Sequence, residues 1–413
     1  MPCRCAAGGH QALGIDWSLD NASLVIHDPH MTVSEILSDE RLRQDEFPVC
    51  RSRAYLAHAG VAPLARCAAD AIGHYSFMAA QDDQETWLPK LHRAARVSAT
   101  KLLVGAQPDE IAFVGPTSLA LSMVAGGLTF RRTDNIVIYH DDFPSNVYPW
   151  MALAAQGVKV RYLNTRELGR IRPVDVLGQV DESTRLVALG SAHFIAGWRV
   201  DLDAIGKALR QRGILFCVDA MQTLGAFPIS VANVDFLAAD GHKWLLSPCA
   251  AGVFYVRKEV QDKLRPIALG WNNVRCPNYA AQDSLDYQTG ARRFEAGTHN
   301  CVGLVGLKAA MDMLADVGVE NIAAELLRKR AWLVPELQAK GWTVLNAAAP
   351  PQNCAGIISI TREAADLPAI HQRLTDGGVV TSLRADRTGK QYIRLSPHFY
   401  NTDAELARAG QLL

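Results

Sequence analysis

The chain has 413 residues, 49% of them hydrophobic, and its 42 basic and 42 acidic side chains leave no net charge. This length allows a large core and about two or three domains, and the zero net charge gives no electrostatic reason to expect nucleic acid or a membrane surface as partner. Because no apolar run spans a membrane, no secretion signal opens the chain, and the nine cysteines show no zinc-ligand spacing, we expect a cytoplasmic protein without a metal site.

The first hundred residues combine an irregular start with helical segments. Residues 1–32 have no sustained period, and we treat them as a peripheral N-terminal segment. We expect a helix over Val33–Arg43, then a short strand running into a turn over Tyr55–Leu64. Apolar residues at helical spacing predict long helices over Cys67–Lys101.

The segment Phe113–Ser122 predicts a strand, a tight Gly-Pro turn and a helix that begins at Thr117 or Ser118. Hydroxyl groups and free backbone N–H groups at a helix start can bind an anion. The alternative is that these residues are an ordinary N-cap.

Short apolar segments then recur at intervals that leave room for helices. They are partly β-branched, which is typical of fully buried parallel strands. Their alternation with helices from about Ile111 to Val256 predicts a mainly parallel sheet flanked by helices. The strands expected in this region are Asn135–Tyr139, Val158–Leu163, Leu186–Ser191, Ile214–Val218, Val234–Ala239 and Gly252–Val256.

Polar side chains follow two of these strands, where open α/β sheets bind their ligands. Asp219 and Gln222 come after the strand Ile214–Val218. His242 and Lys243 come after the strand Val234–Ala239. A lysine amine can form a Schiff base with the aldehyde of pyridoxal phosphate (PLP), and a carboxylate can keep the pyridine nitrogen protonated. The alternative is a helix-capping aspartate and a solvated lysine.

The combination of D-A-M-Q at Asp219–Gln222 and A-D-G-H-K at Ala239–Lys243 closely resembles the signature of class V aminotransferases. These are fold-type I PLP enzymes that include cysteine desulfurases, selenocysteine lyases, kynureninase and isopenicillin N epimerase. The resemblance implies an α/β large domain with a seven-stranded-type, mainly parallel sheet and a smaller α+β C-terminal domain. It also implies that Lys243 is catalytic and that Asp219, Gln222, His242 and Lys243 bind PLP.

Other motifs of the same family extend this assignment. The resemblance places Thr117 and Ser118 at the PLP phosphate and Phe143 against the pyridine ring. F-E-A-G-T implies that Thr298 reaches the phosphate held by the other subunit of a homodimer. His58 and His193 resemble family positions near the substrate or cofactor, although a satisfied structural histidine is the open alternative for His58.

The C-terminal part carries the residues expected to bind substrate. Arg394 lies in R-L-S-P-H-F-Y-N-T, which resembles the family motif for the α-carboxylate, and an arginine fork suits that group. Arg384 is expected to assist. The elements expected here are helices over Val305–Leu314, Glu320–Leu337 and Leu367–Asp376 and from Asp403, and strands over Trp342–Leu345, Gly356–Thr361, Val379–Leu383 and Tyr392–Ser396.

We therefore divide the chain into four parts. Residues 1–32 are the peripheral segment, and residues 33–75 are expected to contribute to the small domain and the active site. Residues 76–315 are expected to form the large PLP-binding domain, and residues 316–413 the small domain.

The reaction is less defined than the cofactor. The segment Gly377–Gln391 lacks the cysteine that carries persulfide in cysteine desulfurases, so a low-pKa thiolate cannot come from it. Kynureninase is disfavoured because A-D-G-H-K-W-L-L-S-P is closer to the desulfurase and epimerase branch. We expect a C–S or C–Se lyase acting on an amino acid. An aminotransferase, an epimerase and a PLP-binding regulator remain alternatives.

Overall fold

The structure is a computed structural model that describes residues 31–413. Nearly all of the predicted peripheral segment 1–32 therefore lies outside the described residues. The α-helices are α1 (Val33–Ser38), α2 (Glu40–Glu46), α3 (Arg66–Ala79), α4 (Leu88–Leu102), α5 (Thr117–Gly127), α6 (Tyr148–Met151), α7 (Pro173–Leu177), α8 (Leu202–Gln211), α9 (Cys301–Val317), α10 (Val319–Ala339), α11 (Leu367–Asp376) and α12 (Asp403–Leu412).

Two larger sheets and two short strand pairs accompany these helices. The strands are β1 (Ala54–Tyr55), β2 (Leu103–Val104), β3 (Ile111–Phe113), β4 (Asn135–Ile138), β5 (Lys159–Tyr162), β6 (Thr184–Gly190), β7 (Leu215–Asp219), β8 (Ile229–Ser230), β9 (Phe236–Asp240), β10 (Gly252–Val256), β11 (Thr343–Val344), β12 (Ile358–Thr361), β13 (Val379–Val380), β14 (Ser382–Ala385) and β15 (Gln391–Leu395).

The central sheet has seven strands in the order β3-β10-β9-β7-β6-β4-β5. Strand β10 runs antiparallel to both of its neighbours, whereas β9, β7, β6, β4 and β5 are parallel. Every residue of β4, β9 and β10 is buried, because helices cover the sheet and only apolar runs can occupy its middle. The predicted mainly parallel sheet is confirmed.

The N-terminal helices depart from the sequence prediction at one residue. A single helix was expected over Val33–Arg43, but the backbone of Asp39 is extended, with φ −112° and ψ 99°. Its carboxylate accepts a hydrogen bond from the N–H of Leu42 and so begins α2. The predicted long helices over Cys67–Lys101 are α3 and α4, and both pack against α9.

The second sheet is antiparallel, in the order β11-β12-β15-β14, and helices α10, α11 and α12 pack around it. The N-terminal segment joins this part of the fold, since β1 pairs in parallel with β13. The short strand and following turn predicted for Tyr55–Leu64 are present, although β1 starts one residue earlier and includes only Tyr55 of that range. The predicted domain limits stay a prediction.

One loop ties the two larger sheets together. Gly197 has a φ of +66°, and a β-carbon there would lie 2.4 Å from the carbonyl oxygen of Ile357, next to β12. Only glycine fits such a close approach in the left-handed region. The loop before it includes Phe194, so the position of that loop is fixed relative to the second sheet.

No helix within residues 31–413 has the length and apolarity needed to cross a membrane.

Candidate active site

Lys243 lies in the turn that follows β9, with 8% of its surface exposed. Its Nζ is 5.1 Å from the ring centroid of Phe143. Burial lowers the pKa of Lys243 to about 8, and the carboxylate of Asp219 opposes this shift. The guanidinium groups of Arg394 and Arg384 lower the pKa further. The amine is therefore much more easily deprotonated than that of an exposed lysine.

Asp219 ends β7, the strand next to β9, and is also buried. Its Oδ1 accepts a hydrogen bond of 2.9 Å from the N–H of Met221. Burial raises the pKa of Asp219 to about 6, and the nearby carboxylate of Asp142 raises it further. Lys243 opposes this increase. A cationic group placed against Asp219 would offset the cost of burying its charge.

Phe143 is half-exposed and faces the same cleft. Its loop is held by Asp142, which the sequence analysis did not assign to the site. One oxygen of Asp142 accepts from the N–H of Phe143 at 2.7 Å, and the other accepts from the N–H of Gly190 at 2.9 Å and the side chain of Asn146 at 3.0 Å. Asp142 thus fixes the ring next to the end of β6. An aspartate in the loop that follows a buried strand was the available signal.

Thr117 and Ser118 form the first residues of α5. The hydroxyl of Thr117 accepts a hydrogen bond of 2.9 Å from the N–H of Asp240 at the end of β9. The hydroxyls of Ser118 and Ser145 are 2.7 Å apart. The helix start therefore lies at the same edge of the sheet as Lys243, and its N–H groups suit an anion.

Asp240 is a second positioning residue that the sequence analysis left out. It accepts hydrogen bonds of 2.9 Å from Nδ1 of His242 and from the N–H of Ala251, and one of 3.0 Å from the N–H of Ala250. Burial would raise the pKa of Asp240, but these hydrogen bonds outweigh it and hold the pKa below its usual range. The carboxylate orients the ring of His242 and shapes the turn after Lys243.

Gln222 connects this edge to the N-terminal segment. Its Oε1 accepts from Nε1 of Trp244 at 2.9 Å, and its Nε2 donates to the carbonyl of Ala59 at 3.2 Å. One N–H of the amide is left over for another acceptor. The side chain is buried and held in one orientation.

Arg394 reaches the cleft from β15 and has only 1% of its surface exposed. Its Nη1 donates to the carbonyl of Phe194 at 2.7 Å, and its Nη2 is 3.4 Å from the hydroxyl of Ser382. The buried Nε has no partner among the described residues. A buried guanidinium with an unsatisfied N–H and no carboxylate within ion-pair distance in residues 31–413 is well suited to an anionic ligand.

The ring nitrogens of His58 and His193 have hydrogen-bond partners within the protein. The nitrogens of His58 pair with the carbonyl of Ser396 at 2.9 Å and the hydroxyl of Tyr400 at 2.6 Å. His193 pairs through Nε2 with the carbonyl of Asp141 at 2.8 Å, and its Nδ1 accepts the N–H of Ala196 at 2.9 Å.

Both histidine rings are buried, and burial lowers the pKa of His58 to about 4. Burial also lowers the pKa of His193. All four ring nitrogens therefore have partners within the protein, and the predicted contact of these histidines with the substrate stays a prediction.

Thr298 lies in the segment before α9. It is exposed, and with Gly115, Ala250 and Asn300 it lines an open cavity of about 260 Å³. Its contact with the phosphate of a neighbouring subunit stays a prediction.

The cleft residues fit PLP. Asp219 would lie against the ring nitrogen, and Phe143 would cover one face of the ring. The start of α5 and His242 would face the phosphate, while Lys243 would reach the aldehyde. The buried carboxylate of Asp219, whose pKa is raised, would be paired with the cofactor. The partnerless Nε of Arg394 would be paired with the substrate. No cluster of side chains in the described part of the chain has the composition of a metal site.

A family model of class V aminotransferases matches residues 54–408. The chain belongs to the class V aminotransferase family. A probable cysteine desulfurase of Methanothermobacter thermautotrophicus is 32% identical over 75% of this chain and 80% of its own length. An uncharacterised aminotransferase of Bacillus subtilis is 30% identical over 88% of this chain and 94% of its own length.

Solved structures agree on the fold. An apo cysteine desulfurase of Thermococcus onnurineus superimposes with a TM-score of 0.83 at 23% identity, over 90% of this chain and 96% of that one. C-DES, solved with glycine covalently linked to its PLP, has a TM-score of 0.80 at 21% identity, over 89% and 98% of the two chains. This chain is therefore a PLP-dependent enzyme with the fold of the cysteine desulfurases.

Asp219→Asn should stabilise the protein freed of PLP while weakening PLP retention. Asp219 has a folded-state pKa above its unfolded value, so its destabilising effect is absent below pH 4, grows up to about pH 6 and is complete above it. At pH 7 the variant should gain about 2–3 kcal/mol in urea unfolding, and near pH 4 it should gain nothing.

Asp386→Asn is the matched control for Asp219→Asn. Burial would raise the pKa of Asp386, but hydrogen bonds from Thr388 and Tyr392 outweigh it and lower the pKa. Its stabilising effect is present above pH 4, so the control should lose stability at pH 7. A loss of stability at pH 7 in Asp219→Asn as well would contradict the raised pKa of Asp219.

Proposed function

We propose that this enzyme is an amino-acid lyase that cleaves a C–S or C–Se bond without forming a persulfide on the protein. The observation that carries the proposal is the turn between β14 and β15, which lies in Gly377–Gln391, the segment where the resemblance to cysteine desulfurases predicts their cysteine-bearing loop. The turn 386–390 is short, and the carboxylate of Asp386 accepts from the N–H groups of Thr388 at 2.9 Å and Lys390 at 3.1 Å. A closed turn without a thiol leaves no mobile sulfur acceptor at this place.

The described cysteines elsewhere give little support to a persulfide route. Cys67, Cys217, Cys301 and Cys354 are buried. Burial raises the pKa of Cys67 to about 12 and that of Cys217 well above its usual value. The thiolate is the reactive form, so Cys67 and Cys217 are poor nucleophiles.

The chain's own residues account for the steps of such a reaction. PLP, when bound, withdraws electrons from the α-carbon of the attached amino acid. In our proposal Arg394 binds the α-carboxylate and Asp219 keeps the ring nitrogen protonated. The amine of Lys243 takes the α-proton, for which its lowered pKa is suited.

Loss of the α-proton lets the Cβ–S bond break, and sulfur leaves with the bonding electron pair. Hydrolysis then gives pyruvate and ammonia. The balance needs water and no oxidant.

An aminotransferase is the second candidate, and the Bacillus subtilis relative favours it because it matches 88% of this chain. A transaminase would use the same Lys243, Asp219 and Arg394. It would return the proton to the cofactor side and require a 2-oxo acid as acceptor.

The two candidates differ in their need for an acceptor. We expect the holoenzyme to release pyruvate and ammonia from a cysteine thioether or selenocysteine in the absence of any 2-oxo acid. Lys243→Ala should reduce this rate by at least about 10³-fold, since the proton has no other base. Cys249→Ala, which removes an exposed thiol, should leave the rate unchanged.

The measurement is pyruvate formed with and without added 2-oxo acid. Turnover that occurs only with the acceptor, with a new amino acid as product, would establish the aminotransferase instead. A loss of activity in Cys249→Ala would argue for a persulfide at that thiol.

We also infer that the working unit is a homodimer with shared active sites. Thr298 is exposed beside the cavity described above, and large apolar side chains are exposed along the chain segments that line it or lie near it. Patches of this kind mark interfaces. Those supporting the inference are Leu119, Ile267, Leu269, Trp271 and Val302.

Mixing Lys243→Ala with Thr298→Ala subunits tests the shared site. A hydroxyl bonded to a phosphate is worth roughly 1.5–3 kcal/mol, so Thr298→Ala should weaken PLP affinity by about one to two powers of ten. If Thr298 serves the partner, a heterodimer has one intact pocket and exceeds both parents in activity at limiting PLP. If subunit exchange is demonstrated and activity equals the parental average, Thr298 acts within its own chain or not at all.

A further inference from the structure

Two arginines converge on the mouth of the cleft. A β-carbon placed on Gly60 would lie 3.7 Å from Nη2 of Arg394 and 3.8 Å from Nη2 of Arg384. The two guanidinium groups therefore approach the same small volume, from neighbouring strands β15 and β14. Arg394 is buried there, whereas Arg384 is exposed to the opening.

This arrangement concentrates positive charge. Burial lowers the pKa of Arg394 to about 9, and Arg384 lowers it further. Both guanidinium groups also disfavour the charged form of Lys243. Within residues 31–413 neither arginine forms an ion pair, and Arg384 donates only to the carbonyl of Leu383, at 3.2 Å.

One carboxylate would not balance this charge. In the proposed function Arg394 binds the α-carboxylate of the substrate, and its buried Nε has no partner among the described residues. The exposed Arg384 then still presents most of its N–H groups to the space next to the substrate. Like charges that converge without an anion raise the free energy of the empty site and favour a dianionic ligand.

We propose that the substrate carries a second carboxylate at the end of its side chain and that Arg384 binds it. The proposal rests on the lyase function above and makes Arg384 a specificity-determining residue. The substrate class is a cysteine thioether whose sulfur substituent ends in a carboxylate. S-carboxymethylcysteine, for example, would react with water to give pyruvate, ammonia and mercaptoacetate. The electron pair of the broken Cβ–S bond leaves with the thiolate.

Binding of unreactive acids separates this role from the chemistry. The holoenzyme should bind glutarate at least about ten-fold more tightly than butyrate in calorimetry at low salt, as expected for one extra charge-assisted contact. Arg384→Gln should remove that preference and leave butyrate binding unchanged. Lys390→Gln, which deletes another exposed cation of the same hairpin, should keep it.

Turnover supplies the second readout. Arg384→Gln should lower kcat/KM about ten-fold for S-carboxymethylcysteine relative to S-ethylcysteine, and Arg384→Glu should shift the preference toward S-aminoethylcysteine. If Arg384→Gln weakens glutarate and butyrate equally, both arginines share one carboxylate and the proposal is wrong. It is also wrong if Arg384→Gln changes neither affinity.

The two hypotheses fail differently. If no thioether reacts but the glutarate preference depends on Arg384, the lyase assignment fails and the second carboxylate site stands. If thioethers react without regard to a terminal carboxylate, the lyase stands and the role of Arg384 is overturned.

Discussion

The burial of Asp219 and Lys243 at the same edge of the central sheet is the constraint on which the site depends. Burial raises the pKa of the carboxyl to about 6 and lowers that of the amine to about 8. Both ionised forms are costly without a ligand, and a pyridinium ring between them would relieve the carboxylate. Strands β7 and β9 are adjacent and parallel, so their polar ends meet at this edge.

The remaining parts of the site hold this pair in place and bring the substrate to it. Asp142 fixes the loop of Phe143, and Asp240 fixes the turn that carries His242 and Lys243. The second sheet delivers Arg394, which is anchored to the first by its hydrogen bond to the carbonyl of Phe194. Glycine at position 197 allows the backbones of the two parts to approach closely. The pocket is therefore assembled from residues far apart in the chain.

The sequence predicted the central sheet well, because fully buried parallel strands need apolar runs and the polar residues after them stand out. The extended backbone of Asp39, which divides a predicted helix, and the hydrogen bonds of Asp142 and Asp240 depend on local geometry that a residue pattern does not contain. His58 and His193 show the main limit. Their nitrogens pair with Ser396, Tyr400 and Asp141, which are distant in sequence, so a residue pattern could not show these hydrogen bonds.

The central claim is that Lys243 is the residue to which PLP is linked. Borohydride reduction of the holoenzyme followed by proteolysis and mass spectrometry tests it directly, because reduction makes the bond between the lysine and the cofactor permanent. The account predicts a phosphopyridoxyl group on the peptide that contains Lys243, in close to one copy per chain. A phosphopyridoxyl group on another lysine, with the Lys243 peptide unmodified, would contradict it.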